Sequence, residues 1–163
     1  MTYVGALTFI HTALSFVAIG YGILAVAALF HAERDLRWRR PFLITAILTS
    51  VTGYLFPFTG ITPAFATGIV ALIVLATVLI ALRSLPAAWA RWVYVGGMVI
   101  SLYLLVFVLI AQAFLKLPAL NRLAPTGTEP AFGIAQAIGL LVFVVIGITA
   151  LRAYGRGSAL VQR

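Results

Sequence analysis

Few side chains in this sequence are able to act as an acid, a base or a metal ligand. There are two histidines, three carboxylates and no cysteine. The carboxylates Glu33, Asp35 and Glu129 all lie at or outside the ends of long apolar stretches. Because ionisable groups inside a membrane usually mark ion and proton pathways, their position disfavours a transporter that relays charge through a membrane carboxylate.

His11 is the one histidine well inside an apolar stretch, and His31 follows it by 20 residues. That spacing is about 30 Å along a helix, so the two rings cannot share one metal or haem. We therefore predict no cofactor and no metal site. Two interpretations of His11 stay open: a histidine that pairs with a polar group on a neighbouring helix, which is the favoured one, and a single ligand-binding residue.

The elements that carry these residues are predicted to be transmembrane helices. The sequence is 64% apolar and 9% charged, whereas soluble domains are about a quarter charged. Four stretches free of charged side chains each reach the roughly 20 residues of a membrane-spanning helix: Met1–Ala32, Pro41–Leu82, Trp92–Leu115 and Pro130–Leu151. This composition excludes a soluble enzyme, a nucleic-acid-binding module and a disulfide-rich secreted domain.

The stretch Pro41–Leu82 is too long for one crossing, because as a helix it would measure about 63 Å. Pro57, Gly60 and Pro63 mark its reversal. We predict an all-α fold, an integral membrane bundle of five transmembrane helices in a single domain over residues 1–163. The spans fall near residues 3–31, 41–57, 62–83, 87–115 and 130–152.

Basic residues predict the orientation, since Lys and Arg in short loops stay on the cytoplasmic side. One face of the predicted bundle carries nine arginines, and the other carries only Lys116 and Arg122. The N-terminus is therefore expected outside and the C-terminus in the cytoplasm. The nine are Arg34, Arg37, Arg39, Arg40, Arg83, Arg91, Arg152, Arg156 and Arg163.

Polar side chains concentrate in the predicted outer leaflet. Successive helices cross the membrane in opposite directions, so the position of a residue along its helix gives its depth in the membrane. Seven polar or charged residues fall at similar depth near the outer side, and we predict that they bind a ligand in an outward-facing pocket: His11, Ser15, Tyr54, Gln112, Lys116, Glu129 and Gln136. The favoured alternative is that these groups only pair between helices, because depth does not give the direction of a side chain around its helix. We also predict an ion pair between Lys116 and Glu129.

A threonine stripe offers a second class of function. Thr45, Thr49 and Thr52 share one helix face, and in a homo-oligomer they would line a narrow polar path. The alternative is that each hydroxyl bonds to a carbonyl one turn earlier. Pairs of small residues four apart favour close helix packing and a homo-oligomer: Ala18 with Gly22, Gly97 with Ser101, and Ala135 with Gly139.

Three segments resemble a group of small multi-pass bacterial membrane proteins for which no activity is established. They are residues 9–13 (FIHTA), 50–58 (SVTGYLFPF) and 112–120 (QAFLKLPAL). The resemblance implies a location in the bacterial inner (cytoplasmic) membrane. Similar proteins often have a histidine just after Thr62-Pro63-Ala64, where this chain has Phe65. This difference makes a haem or metal site less expected.

The function expected from the sequence is a multi-pass membrane protein without evident catalytic machinery. It would bind a small or lipophilic molecule in the outward-facing pocket or act as an accessory subunit. The alternative is a homo-oligomeric channel or facilitator for a small solute or ion. Expected partners are membrane lipid, a small lipophilic ligand and further copies of the chain, but not nucleic acid.

Overall fold

The computed structural model describes residues 2–31, 36–58, 60, 62–85 and 87–160. All regular structure in those residues is helical, which confirms the all-α prediction. The helices are α1 (Tyr3–Phe30), α2 (Leu36–Gly53), α3 (Pro63–Arg83), α4 (Ala88–Lys116), the single turn α5 (Pro118–Asn121) and α6 (Pro130–Leu160).

Helices α1 and α3 begin with threonine caps. The Thr2 hydroxyl accepts a hydrogen bond from the Gly5 amide at 3.3 Å, and the Thr62 hydroxyl accepts one from the Phe65 amide at 3.2 Å. Side-chain oxygens at this position satisfy amides that have no partner within the helix. The last helix begins at Pro130, as predicted, because proline suits the first helical turn.

The predicted number of membrane spans was wrong: four helices, not five, are long and apolar enough to cross a membrane, and they are α1, α3, α4 and α6. Helix α2 fails because it begins at Leu36 and ends at Gly53, so its 18 residues include Arg37, Arg39 and Arg40. Its charge-free part, from Pro41, is about 20 Å long, against about 30 Å for the hydrocarbon layer. The prediction had extended this helix to residue 57.

Consecutive long helices run antiparallel, as two pairs of contacts between α1 and α2 illustrate. His11, early in α1, contacts Thr52, late in α2, while Tyr21, later in α1, lies 6.3 Å from the ring of Trp38 at the start of α2. Helix α4 is central and packs on α1, α3 and α6. We call one end of the bundle the cavity end: the N-terminal halves of α1, α3 and α6 and the C-terminal halves of α2 and α4. The opposite halves form the core end.

The buried core lies at the core end. Phe42 and Met98 are 0% exposed and Leu29 is 2% exposed. Close helix approach there depends on glycine: a Cβ atom on Gly22 would lie 2.7 Å from Leu102 Cδ1, and one on Gly97 would collide with the Val78 side chain. These small residues therefore pack helices within one chain.

The described arginines of the predicted cytoplasmic face lie at the core end, because they occupy the start of α2, the end of α3, the start of α4 and the C-terminal half of α6. They are Arg37, Arg39, Arg40, Arg83, Arg91 and Arg152. Glu33, Arg34, Asp35 and Arg163 lie outside the described residues, as does the side chain of Arg156.

Candidate ligand-binding cavity

A cavity of about 640 Å³ occupies the cavity end. Helices α1 to α4 and the α2–α3 connection line it, and α6 contributes no residue to its wall. Small-molecule sites usually measure about 300 to 1,000 Å³ and combine apolar walls with a few polar groups. The polar wall residues are Thr8, His11, Thr12, Ser15, Thr49, Ser50, Tyr54, Thr62, Thr67, Ser101, Gln112 and Lys116.

Five of the seven predicted site residues line this cavity: His11, Ser15, Tyr54, Gln112 and Lys116. That they bind a ligand stays a prediction. Their shared position follows from the antiparallel order of the helices, which brings the start of α1 beside the ends of α2 and α4.

Gln136 lies at the predicted depth but does not reach the cavity wall. It belongs to α6, and its side-chain amide donates to the Phe107 carbonyl of α4 at 3.1 Å. The side-chain amide oxygen of Gln136, Oε1, is buried and has no hydrogen-bond partner among the described residues. Gln136 therefore links two helices, which is the alternative that the sequence had favoured.

Glu129 also lies away from the cavity, in the loop formed by residues 122–129. Its carboxylate accepts hydrogen bonds from the Thr126 amide at 3.1 Å, the Thr126 hydroxyl at 2.9 Å and the Thr128 amide at 3.1 Å. The predicted ion pair with Lys116 is not formed among the described residues, because local donors already hold the carboxylate. Burial acts to raise the pKa of Glu129, but these hydrogen bonds outweigh it and set the pKa below its usual value.

His11 forms a hydrogen bond to the neighbouring helix α2 and also lines the cavity. Its Nδ1 atom lies 2.9 Å from the Thr52 hydroxyl of α2, and the edge of its ring meets Phe56 at a centroid distance of 5.5 Å. The ring lies beside Gly53 at ordinary contact distance, since a Cβ atom there would stand 3.5 Å from His11 Cε1. The Ser15 hydroxyl donates to the His11 carbonyl at 2.7 Å. The imidazole is thus held at one edge, against α2.

An aromatic group closes the α2–α3 side. The Tyr54 hydroxyl donates to the Phe65 carbonyl at 3.3 Å, and the two rings meet edge to face at 5.0 Å. Gly68 makes this possible, because a Cβ atom there would lie 2.7 Å from the Tyr54 hydroxyl oxygen. Phe65 lines the same cavity as His11. Its phenyl ring offers no metal ligand.

Two buried hydroxyls at the deep end of the cavity were not predicted as site residues. Thr49 is 6% exposed and Ser101 is 3% exposed, and neither hydroxyl has a hydrogen-bond partner among the described residues. An unpaired hydroxyl in an apolar environment carries a free-energy cost. The sequence placed Thr49 in the threonine stripe and Ser101 in a pair of small residues. Neither pattern indicates an unpaired hydroxyl, because serine and threonine in helices usually bond to their own backbone.

Two of the three hydroxyls of the threonine stripe bond to backbone carbonyls of their own helix, as one of the two interpretations predicted. Thr45 donates to the Pro41 carbonyl at 2.7 Å, and Thr52 donates to the Thr49 carbonyl at 3.1 Å. Only Thr49 of the three lines the cavity. Within one chain the stripe therefore does not form a continuous row of available hydroxyls.

The cavity is poor in charge. Lys116, which is exposed, is the one Lys, Arg, Asp or Glu residue on its described wall. The described part of the chain contains no group of three side chains placed to hold a metal ion. No protein-family model, no curated protein and no solved structure matches this chain.

Proposed function

We propose that this protein binds a small lipophilic molecule in the cavity, as a membrane protein without a catalytic role of its own or as an accessory subunit. The observation that carries the proposal is the cavity itself. It has about 640 Å³ of space in a small bundle whose other end is tightly packed. Its walls combine apolar side chains with His11 and Gln112, which suits a largely apolar ligand with one polar group.

The proposal includes an orientation, with the cavity end facing outward and the C-terminus in the cytoplasm. The described arginines at the core end support it, because basic residues in short loops are retained in the cytoplasm. Helix α2 returns the chain from the core end to the cavity end, although it is not long and apolar enough to be counted as a span by itself. The resemblance noted above supports the bacterial inner membrane as the location and membrane lipid as a partner.

The test is native mass spectrometry of protein purified in mild detergent, with a variant that fills the cavity. Ala71 lines the cavity on α3, so Ala71→Phe should remove bound material. Ala76→Phe is the matched control, because Ala76 is exposed on the same helix and outside the cavity wall. We expect wild type and the control to retain a small molecule that Ala71→Phe lacks. Identical spectra for all three proteins would contradict the proposal.

The channel alternative predicts solute flux, and a liposome assay separates it from binding. At the core end of one chain the space between helices is filled by buried side chains such as Phe42 and Met98, and two of the three stripe hydroxyls bond to backbone. These contacts favour the binding proposal. We expect no flux of small solutes or ions above that of protein-free liposomes.

A further inference from the structure

The hydrogen bonds around His11 determine which of its ring nitrogens carries the proton. The Thr52 oxygen lies 3.1 Å from the Thr49 carbonyl oxygen and 2.9 Å from His11 Nδ1. A hydroxyl has one hydrogen and a carbonyl oxygen only accepts. Both contacts are hydrogen bonds at the same time only if the Thr52 hydroxyl donates to the carbonyl and His11 Nδ1 donates to the hydroxyl.

Neutral His11 therefore presents Nε2 as an acceptor. In a neutral imidazole one nitrogen is the donor and the other the acceptor, and a bond made by the first assigns the second. No described residue donates to Nε2, although His11 is on the cavity wall and only partly buried. An acceptor left without a donor in an apolar cavity favours a ligand that brings a hydrogen.

The charged groups on the cavity wall also restrict the charge that a ligand can carry. No carboxylate lies on the described cavity wall, and Lys116 places an ammonium group at the rim, so a cationic ligand has no partner there and meets a like charge. An anion would gain from Lys116, but it has no hydrogen to offer His11 Nε2. A neutral group with an acidic hydrogen satisfies the imidazole without either conflict.

We infer that the cavity takes a neutral lipophilic alcohol or phenol whose hydroxyl donates a hydrogen bond to His11 Nε2. The inference rests on the proposed ligand-binding function. Thr52 is a positioning residue here, since it sets the tautomer of His11 through Nδ1. The apolar part of the ligand would occupy the wall formed by side chains such as Ile19, Leu105 and Val108.

The test compares probes that differ in one group: 1-naphthol, 1-methoxynaphthalene and 1-naphthoate. Equilibrium dialysis against protein in lipid nanodiscs, corrected with protein-free nanodiscs, gives the dissociation constants. We expect 1-naphthol to bind about tenfold more tightly than its methyl ether, the factor that corresponds to one good hydrogen bond. His11→Phe should bring the two constants together. Thr77→Val is the control: Thr77 lies on α3 outside the cavity wall and its hydroxyl donates to the Val74 carbonyl at 2.7 Å, so the tenfold preference should persist.

A second measurement tests the tautomer directly and does not depend on binding. Nitrogen-15 NMR of histidine-labelled protein should show the His11 ring protonated at Nδ1, with His11→Phe used to assign its signals apart from those of His31. Thr52→Val should abolish this fixed tautomer and reduce the preference for 1-naphthol.

The outcomes separate this inference from the proposed function. Equal binding of 1-naphthol and 1-methoxynaphthalene by wild type, or tighter binding of 1-naphthoate, overturns the inference but leaves a lipophilic site in place. A His11 proton on Nε2 also overturns it. If none of the three probes binds wild type above the protein-free background, the ligand-binding function itself fails.

Discussion

The two ends of this bundle use the same five long helices in different ways. At the core end, Gly22 and Gly97 let helices approach closely, and Phe42 and Met98 are completely buried between them. At the cavity end, Gly68 instead makes room for the ring of Tyr54. Glycine thus serves close packing at one end and the placement of a polar ring at the other.

The two ends of the bundle also differ in how their helices are held together. In lipid, helices gain little from burying apolar surface, so packing and hydrogen bonds hold them together. The core end obtains stability from packing, and the cavity end obtains it from contacts such as His11 with Thr52 and Tyr54 with the Phe65 carbonyl. Substitutions should therefore be more costly at the core end.

Removing a large core side chain should have the greatest effect on stability. Phe42 is 0% exposed, so Phe42→Ala leaves a void that the surrounding helices cannot close, and we expect a loss of about 3 kcal/mol. Phe16→Ala is the control at the cavity end, because Phe16 is 58% exposed and its loss should cost much less. Denaturation in mixed detergent micelles measures both. Equal losses would remove the distinction between the two ends.

Adding one methyl group at a helix contact should have the next largest effect. A Cβ atom on Gly97 would collide with Val78, so Gly97→Ala should destabilise the bundle by about 1 to 3 kcal/mol. Gly96→Ala is a control one residue away: a Cβ atom there meets nothing within 4 Å. It should leave the midpoint of thermal unfolding unchanged or raise it slightly, since alanine favours helix. A lower midpoint for Gly96→Ala than for Gly97→Ala would contradict the packing described here.

Sequence reasoning predicted the reversal between α2 and α3 because Pro57, Gly60 and Pro63 fall close together, and such a cluster is typical of a turn. It extended α2 too far, since nothing between Gly53 and Pro57 forbids another helical turn. Depth alone brought His11 and Gln112 to one cavity but also included Gln136, which lies on the other side of α4. The direction of a side chain around its helix depends on packing, and a single sequence does not contain that packing.

The buried hydroxyls at the deep end of the cavity should give an effect of the opposite sign. Thr49→Val keeps the shape of the side chain and removes a hydroxyl that has no described partner, so we expect a gain of up to about 1 kcal/mol. Thr45→Val is the control on the same helix, because the Thr45 hydroxyl donates to the Pro41 carbonyl and its loss should give no gain. The same denaturation assay compares them. A loss of stability in Thr49→Val would mean that its hydroxyl is bound, by water or by the ligand.

The smallest effect concerns the loop of residues 122–129 and its dependence on pH. The pKa of Glu129 is lowered in the folded protein, from an ordinary value of 4.5. Its carboxylate therefore contributes stability that is fully present above the unfolded pKa and is lost as the pH falls through the folded pKa. We expect wild type to unfold at a slightly higher temperature than Glu129→Gln at pH 7, and the difference to disappear as the pH falls well below 4.5. Comparing the two proteins at each pH cancels the titration of every other group. A difference that stays constant with pH would show that the hydrogen bonds from Thr126 and Thr128 do not depend on the charge of Glu129. The loop of residues 122–129 would then be held by its backbone geometry, as the core end is held by its packing.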